Sequence, residues 1–174
     1  WEHGSVGDDW GALAVPILAI GGWADGYRNA PPDLAAHLAT PTKAINGPWI
    51  HKYPHFAWPK PRLDFHAEAV RWWDRWLKNV SNGADRLPAY RVYLSEKVPA
   101  GSQWRSNEPG NWVALEKWPS TDIQERVFYL TDVGTLDTQP TSEALRTIST
   151  PQDCGVSSGE YFTLKPDAEL AGDQ

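Results

Sequence analysis

With 174 residues, the chain is long enough for one ordinary domain or two small ones, and 41% of its residues are apolar. A formal net charge of −6 excludes a broad basic surface for nucleic acid or an anionic membrane, and no apolar run approaches the roughly 20 residues that cross a bilayer. The single cysteine, Cys154, excludes an internal disulfide, which argues against a disulfide-stabilised secreted scaffold and favours a cytoplasmic location.

The first part of the chain has the element order of an α/β domain. Residues 15–20 form a continuous apolar run closed by two glycines, which indicates a strand buried on both faces. A short helix is predicted over residues 31–38, where prolines occupy the first positions, and a second strand over residues 42–46, ending at Gly47-Pro48. Four prolines predict a long, irregular, aromatic loop over residues 48–61.

A longer helix is predicted over residues 63–78. Its apolar residues recur at spacings of four, three, three and four, which is the pattern of the buried stripe of an amphipathic helix. These residues are Leu63, Ala67, Val70, Trp73 and Leu77. Asp74 and Lys78 lie off this stripe at the spacing of a favourable i, i+4 ion pair.

The pattern changes after about Leu87. Tyr90, Val92 and Leu94 recur with a period of two, and further short strands are predicted over residues 126–130 and 161–164 between turns rich in Gly, Pro, Asp, Asn and Ser. No helical period of any length follows Lys78. This part of the sequence therefore predicts an all-β sandwich or jelly roll.

Two polar segments follow the predicted strands, where open α/β sheets place their active sites. Asp25 comes directly after the first strand, and His51 follows the second strand 26 residues later. An Asp and a His delivered in this way can meet as an oriented general base, although an aspartate such as Asp25, taken alone, is more commonly a turn residue that bonds its own backbone. In α/β-hydrolases the triad runs Ser, acid, His along the chain, so the nucleophile would precede Trp1.

Three motifs in this order resemble segments of the cocaine-esterase and X-Pro dipeptidyl-peptidase family of serine hydrolases. Residues 16–27 are similar to the aspartate segment of that family, residues 47–51 to its Gly-Pro-Trp-x-His segment, and residues 72–78 to its Trp-Trp-Asp-Arg-Trp-Leu-Lys run. The resemblance extends over essentially the whole chain. Because the sequence contains no Met and begins at Trp1 without a targeting segment, we expect an interior piece of a longer protein.

The resemblance implies the C-terminal part of an α/β-hydrolase catalytic domain over residues 1–84, followed over residues 85–174 by the start of a jelly-roll, galactose-binding-like domain. It implies Asp25 as the triad acid and His51 as the triad base of a serine hydrolase. The expected substrate is a small-molecule ester, an amide or a short peptide. No cofactor and no metal are implied.

Several aromatic residues beside the two segments are candidates for the substrate pocket: Trp23, Tyr27, Trp49 and His55. Core packing explains the tryptophans equally well, since such large apolar side chains are usually buried. Pro54 stands between His51 and His55 and prevents the helix that would pair them as zinc ligands, so we predict no metal site.

One further motif has the letters of a nucleophile elbow. Residues 155–159 match G-x-S-x-G with Ser157 at the centre, but that motif requires a strand before the serine and a helix after it. Here a polar segment with Pro151 precedes the motif and a β-like run follows it. We therefore interpret Ser157 as a loop residue, and Cys154, which has no basic neighbour, as unreactive.

A second function class stays open at this point. A non-catalytic, Trp-rich β-sandwich module would bind carbohydrate or another protein through exposed aromatic residues. The α/β order of the first eighty residues does not fit such a module, and neither does the delivery of an Asp and a His after consecutive strands. The sequence therefore favours a serine acyl hydrolase.

Overall fold

The computed structural model describes residues 4–97, 106–131 and 133–140, together with residues 145 and 149. Within these residues the chain forms two compact units, of which the first extends to Ser120 and the second begins at Thr121. The predicted strand at residues 161–164 lies outside the described residues, and so do Cys154 and Ser157.

The first unit is built on a four-stranded mixed sheet. Its strands lie side by side in chain order: β1 (Ile17–Ala24), β2 (Thr42–Ile50), β3 (Tyr90–Ser95) and β4 (Gly110–Leu115). β1, β2 and β3 run parallel, and β4 is antiparallel to β3. Because parallel strands end at the same edge of a sheet, the residues that follow β1 and β2 are neighbours in space.

Two helices connect the parallel strands. α1 (Ala30–His37) joins β1 to β2 and has prolines in its first turn, as predicted. α2 (Phe65–Leu77) joins β2 to β3, and the Asp64 side chain caps its first turn by accepting from the backbone N–H of Ala67 at 3.0 Å. No helix in the described part of the chain combines the length and the apolar character needed to cross a membrane.

The buried face of α2 differs from the predicted one. Val70, Trp73 and Leu77 of the predicted stripe are 53%, 55% and 78% exposed. The helix instead buries or half-buries Phe65, Ala69, Trp72 and Trp76. These positions are spaced four, three and four apart, so two apolar stripes run along α2 and their periodicity alone does not distinguish them.

Charged side chains of α2 form ion pairs both with the sheet and within the helix. Glu68 accepts two hydrogen bonds of 2.7 Å from the guanidinium of Arg91 on β3. The expected ion pair between Asp74 and Lys78 is confirmed at 2.7 Å. The first pair is half-buried and bidentate, so it fixes the orientation of α2 against β3 more strongly than the exposed second pair can.

β2 extends past the end predicted for it at Gly47 and Pro48. It continues to Ile50 and is buried from Ala44 to Trp49. β3 pairs with β2 only at residues 44–46, so the missing N–H of Pro48 lies beyond that ladder. A Cβ atom on Gly47 would lie 2.5 Å from the ring of Trp49, so this glycine serves packing and does not end the strand.

The strand predicted around residues 90–94 is confirmed as β3, and it joins the same sheet as β1 and β2. The domain boundary predicted after residue 84 therefore falls inside the first compact unit. A period of two indicates a strand but does not say which sheet that strand joins. In the second unit β5 (Tyr129–Leu130) coincides with the end of the strand predicted at 126–130, and it pairs with β6 (Leu136–Asp137).

Alternate residues of β2 divide the core between the two faces of the sheet. On one face Ala44 packs with Tyr90 and Val92 of β3, beside Ala35 of α1. On the other face Ile45 and Trp49 pack with Ala57 of the loop that follows β2. This loop, spanning residues 51–64 and called here the aromatic loop, therefore covers the sheet face on which the candidate site opens.

Candidate active site

Asp25 and His51 follow the C-terminal ends of two neighbouring parallel strands. Along most of the β1–β2 ladder the partner on β2 lies 25 residues further along the chain, as in the pair Gly22 and Gly47. The register then shifts, and Ala24 pairs with Ile50, which is 26 residues further. The same interval separates Asp25 from His51. The irregularity in the ladder thus places these two residues opposite each other.

Both carboxylate oxygens of Asp25 have a hydrogen-bond partner. Oδ2 lies 2.8 Å from Nδ1 of His51, and Oδ1 accepts from the backbone N–H of Tyr27 at 2.9 Å. The side chain of Asp25 is 12% exposed, whereas that of His51 is 64% exposed. The expected approach of the two side chains to hydrogen-bonding distance is confirmed. An ionised Asp25 accepts from Nδ1–H, which leaves Nε2 as the basic nitrogen.

The segment that carries His51 is held by the aromatic loop. Ile50 donates its backbone N–H to the carbonyl of Trp58 at 3.0 Å, and Trp49 donates from Nε1 to the carbonyl of Pro61 at 2.7 Å. The Trp49 side chain is 1% exposed. These contacts fix the backbone immediately before His51. The imidazole is therefore attached to a rigid segment, although the side chain itself is exposed.

A cleft of about 520 Å³ opens beside the Asp25–His51 pair. Its apolar wall is formed by Ile20, Trp49, Tyr53, Phe56 and Phe65. Lys52 is the only cationic side chain among the residues that line it. A concave, mainly apolar surface with a few converging polar groups is typical of a small-molecule site.

The four predicted pocket residues lie in different places. Trp49 lines the cleft from beneath. Tyr27 is 74% exposed and is not among the lining residues, although its ring centroid lies 6.1 Å from that of His51. Trp23 packs on the opposite face of the sheet, where its Nε1 donates to the carbonyl of Tyr93 at 2.6 Å. His55 is not among the lining residues.

His55 packs within the aromatic loop. Its ring centroid lies 4.3 Å from that of His66 and 4.6 Å from that of Phe56. Its Nδ1 is buried without a hydrogen-bond partner. No group of three or more His, Cys, Asp or Glu side chains is placed to hold a metal ion anywhere in the part of the chain that the structure describes.

Tyr53, Phe56 and Phe65 are wall residues that the sequence reasoning did not single out. The sequence signal for these wall residues is the aromatic content of the loop predicted at 48–61. An irregular loop has no periodicity, so the sequence does not show which of its aromatic side chains face the cleft. Sequence comparison adds no relative: no protein-family model matches the chain, and no curated protein does either.

Proposed function

We propose that this chain supplies the acid and the base of the catalytic triad of a serine acyl hydrolase, as the resemblance to the cocaine-esterase and X-Pro dipeptidyl-peptidase family implies. The observation that carries the proposal is the 2.8 Å contact between Asp25 and His51 at the ends of adjacent parallel strands, beside an apolar cleft. In this proposal the first unit belongs to an α/β-hydrolase catalytic domain, and a jelly-roll domain follows it.

His51 acts as the general base in this mechanism. Its Nε2 takes the proton from the hydroxyl of a serine that lies outside this chain, and the serine oxygen attacks the carbonyl carbon of the ester or amide. The imidazolium then returns the proton to the leaving oxygen or nitrogen. Water repeats the sequence on the acyl-enzyme and releases the acid.

Asp25 acts through His51. Its carboxylate accepts from Nδ1–H, keeps the lone pair on Nε2, and stabilises the positive charge that the ring gains in the transition state. The side chain of Asp25 is largely buried, so water competes weakly for it and the hydrogen bond persists. The backbone N–H of Tyr27 holds the second oxygen and limits rotation of the carboxylate.

The cleft favours a substrate with an apolar group next to the scissile carbonyl. Tyr53 and Phe56 remain 60% and 42% exposed, so they offer apolar area that a ligand can cover. A small-molecule ester, an amide or a short peptide is compatible with this size and chemistry. The mixed sheet with its two crossover helices does not fit the rival β-sandwich binding module for the first unit.

The test uses the longer protein that the proposal requires. We expect His51→Ala to lower kcat/KM for p-nitrophenyl butyrate by about 10³-fold or more, because removing the base of a triad disables the whole unit. His66→Ala is the matched control, since His66 is an exposed histidine that does not line the cleft. Retention of activity by His51→Ala, or equal loss by both variants, would overturn the proposal.

A further inference from the structure

Asn46 is an unusual residue for the middle of a sheet. It lies in β2 with 0% of its surface exposed, and the other buried polar or charged residue in the described part of the chain is Asp25. Burying an amide is costly unless its donors and acceptors are satisfied. An apolar residue at this position would avoid the cost of burying an amide. The hydrogen-bond partners of the Asn46 side chain therefore indicate its role.

The side chain of Asn46 connects the sheet to the turn that carries Asp25. Its Nδ2 donates to the backbone carbonyl of Arg28 at 2.9 Å, and the hydroxyl of Tyr90 donates to its Oδ1 at 3.2 Å. Arg28 in turn donates its backbone N–H to the carbonyl of Asp25 at 3.3 Å. A continuous series of bonds therefore runs from β3 through β2 to Asp25.

The surrounding residues are arranged to admit this link. Gly21 pairs with Asn46 in the β1–β2 ladder, and a Cβ atom on Gly21 would lie 2.9 Å from Pro31 and 3.6 Å from Nδ2 of Asn46. The glycine thus leaves the space in which the first turn of α1 packs against the sheet. Tyr90 is held by a ring contact with Trp118 at 4.8 Å, so its hydroxyl is fixed in position.

We propose that Asn46 and Tyr90 are positioning residues that hold the Asp25 turn against the sheet, and so keep the Asp25 carboxylate in line with His51. This inference rests on the proposed function. Neither residue lines the cleft, so both act through Asp25. Loss of the link lets the turn shift, and a displacement of about 1 Å in a catalytic group costs on the order of 10²-fold in rate.

Asn46→Asp tests the link to the turn. The change keeps an oxygen for the Tyr90 hydroxyl, and the ionised carboxylate has no proton to donate to the carbonyl of Arg28, so that bond is lost. We expect kcat for p-nitrophenyl butyrate to fall about 10- to 100-fold while KM changes less than about threefold, because the defect is in the catalytic group and not in the cleft.

Tyr90→Phe is the milder second variant. It keeps the ring that packs on Trp118 and removes the hydroxyl that orients the amide. We expect a smaller loss of kcat in the same direction. Val92→Ala is the control, because it removes buried volume from the core cluster that contains Tyr90 but breaks no side-chain hydrogen bond of the link. We expect this variant to keep its kcat at a comparable loss of thermal stability.

A second readout follows the geometry without turnover. The Nδ1 proton of His51, hydrogen-bonded to a carboxylate, gives a low-field proton NMR signal that Asp25→Asn should abolish. We expect Asn46→Asp to weaken or shift this signal and Val92→Ala to leave it in place. If Asn46→Asp does not fold, Tyr90→Phe decides the question by the same two measurements.

The outcomes separate the two proposals. An unchanged signal and unchanged kcat in folded Asn46→Asp and Tyr90→Phe would overturn the positioning role, and so would a loss of kcat with an unchanged signal. If the wild-type protein hydrolyses no ester or amide, the proposed function fails, and the signal alone then decides whether Asn46 and Tyr90 position Asp25.

Discussion

At the scale of single residues, the carboxylate of Asp25 has one oxygen for the fold and one for His51. Oδ1 accepts from the backbone N–H of Tyr27 within the turn, and Oδ2 faces the imidazole. An asparagine in the same place can keep the first contact through its oxygen. It would then present an amide N–H₂ to Nδ1 of His51, which favours the wrong tautomer and removes the charge that stabilises the imidazolium.

In the longer protein that the proposed function requires, we therefore expect Asp25→Asn to lower kcat by about 10²- to 10⁴-fold with a modest change in KM. The thermal midpoint should change little, because the turn bond to Tyr27 is retained. Both quantities are to be measured on the same preparation. Near-normal turnover at an unchanged midpoint would show that Asp25 is only a turn residue.

Tyr90 gives a pH-dependent prediction. Burial raises the pKa of Tyr90 to about 12, whereas a tyrosine in the unfolded chain titrates near about 10. The neutral phenol therefore stabilises the fold fully below about pH 10, and this contribution is lost as the pH rises toward about 12. Burial also raises the pKa of Tyr93. This second tyrosine is present both in the wild type and in a Tyr90→Phe variant, so a comparison of the two isolates the effect of Tyr90.

The measurement is the free energy of unfolding of the wild type and of Tyr90→Phe between pH 8 and pH 11.5. We expect the wild type to lose stability more steeply than the variant above pH 10, because phenylalanine has no proton to lose. Parallel curves over the whole range would contradict the assignment of the effect to Tyr90.

At the scale of secondary-structure elements, the close approach of β1 and β2 depends on Gly22. A Cβ atom at this position would lie 2.1 Å from the backbone carbonyl oxygen of Trp49, an atom that cannot move without the strand. The register shift that aligns Asp25 with His51 begins at the same residue. Gly22 therefore contributes both to the packing of the two strands and to the geometry of the site.

We expect Gly22→Ala to lower the free energy of unfolding by about 1–3 kcal/mol, as overpacking against backbone usually does. Gly4→Ala is the matched control, because nothing lies within 4 Å of its added Cβ atom. Chemical denaturation of the two variants gives the comparison. A change of less than about 0.5 kcal/mol in Gly22→Ala, the range typical of surface substitutions, would show that the strands separate easily at this point.

The sequence predicts an element well where its apolar pattern fits only one secondary structure and one buried face. The alternation at Tyr90 and Val92 leads to β3 because a period of two does not fit a helix. The apolar run before Gly21 leads to β1 because it is too short for a typical helix and two glycines follow it. The face of α2 was mispredicted because two apolar stripes fit it, and tertiary packing selects the one that contains Trp72. β4 has little apolar alternation and forms by pairing with β3, which periodicity does not show.

For the candidate site, the predictable part is the pair that two parallel strands deliver. Asp25 and His51 follow predicted strands, so their meeting requires only that these strands be neighbours. Phe56 belongs to the aromatic loop, and Phe65 begins the helix after it, so their positions depend on how that loop folds back on β2. Asn46 reads as an ordinary strand residue, because its role arises only when the Asp25 turn lies over it.

At the scale of the whole molecule, the second apolar stripe of α2 remains uncovered by the described part of the chain. Val70, Trp73 and Leu77 lie on it, and Val80 beyond the helix is 45% exposed. Monomeric proteins rarely leave such large side chains grouped on one exposed face. We therefore expect the isolated 174-residue chain to bind a hydrophobic dye at this exposed stripe of α2.

We expect the double variant Trp73→Gln and Leu77→Gln to reduce dye fluorescence while the thermal midpoint stays within a few degrees, because both side chains are exposed. Trp72→Ala is the contrast: it removes a buried ring and should cost about 3–5 kcal/mol of stability. Dye binding by the wild type that does not fall in the double variant would place the exposed apolar surface elsewhere.

The shifted ladder between β1 and β2 also determines where the chain tolerates a change of length. The segment between α1 and β2 only has to return the chain to the sheet, and residues added there cost little because closure entropy grows slowly with loop length. A single residue added between Gly47 and Ile50 would instead turn the next side chain to the opposite face of the sheet, and His51 with it. In homologous sequences that keep the Asp25–His51 pair, we therefore expect insertions in the segment before Thr42. We expect none between Gly47 and Ile50, only a few residues further along the chain.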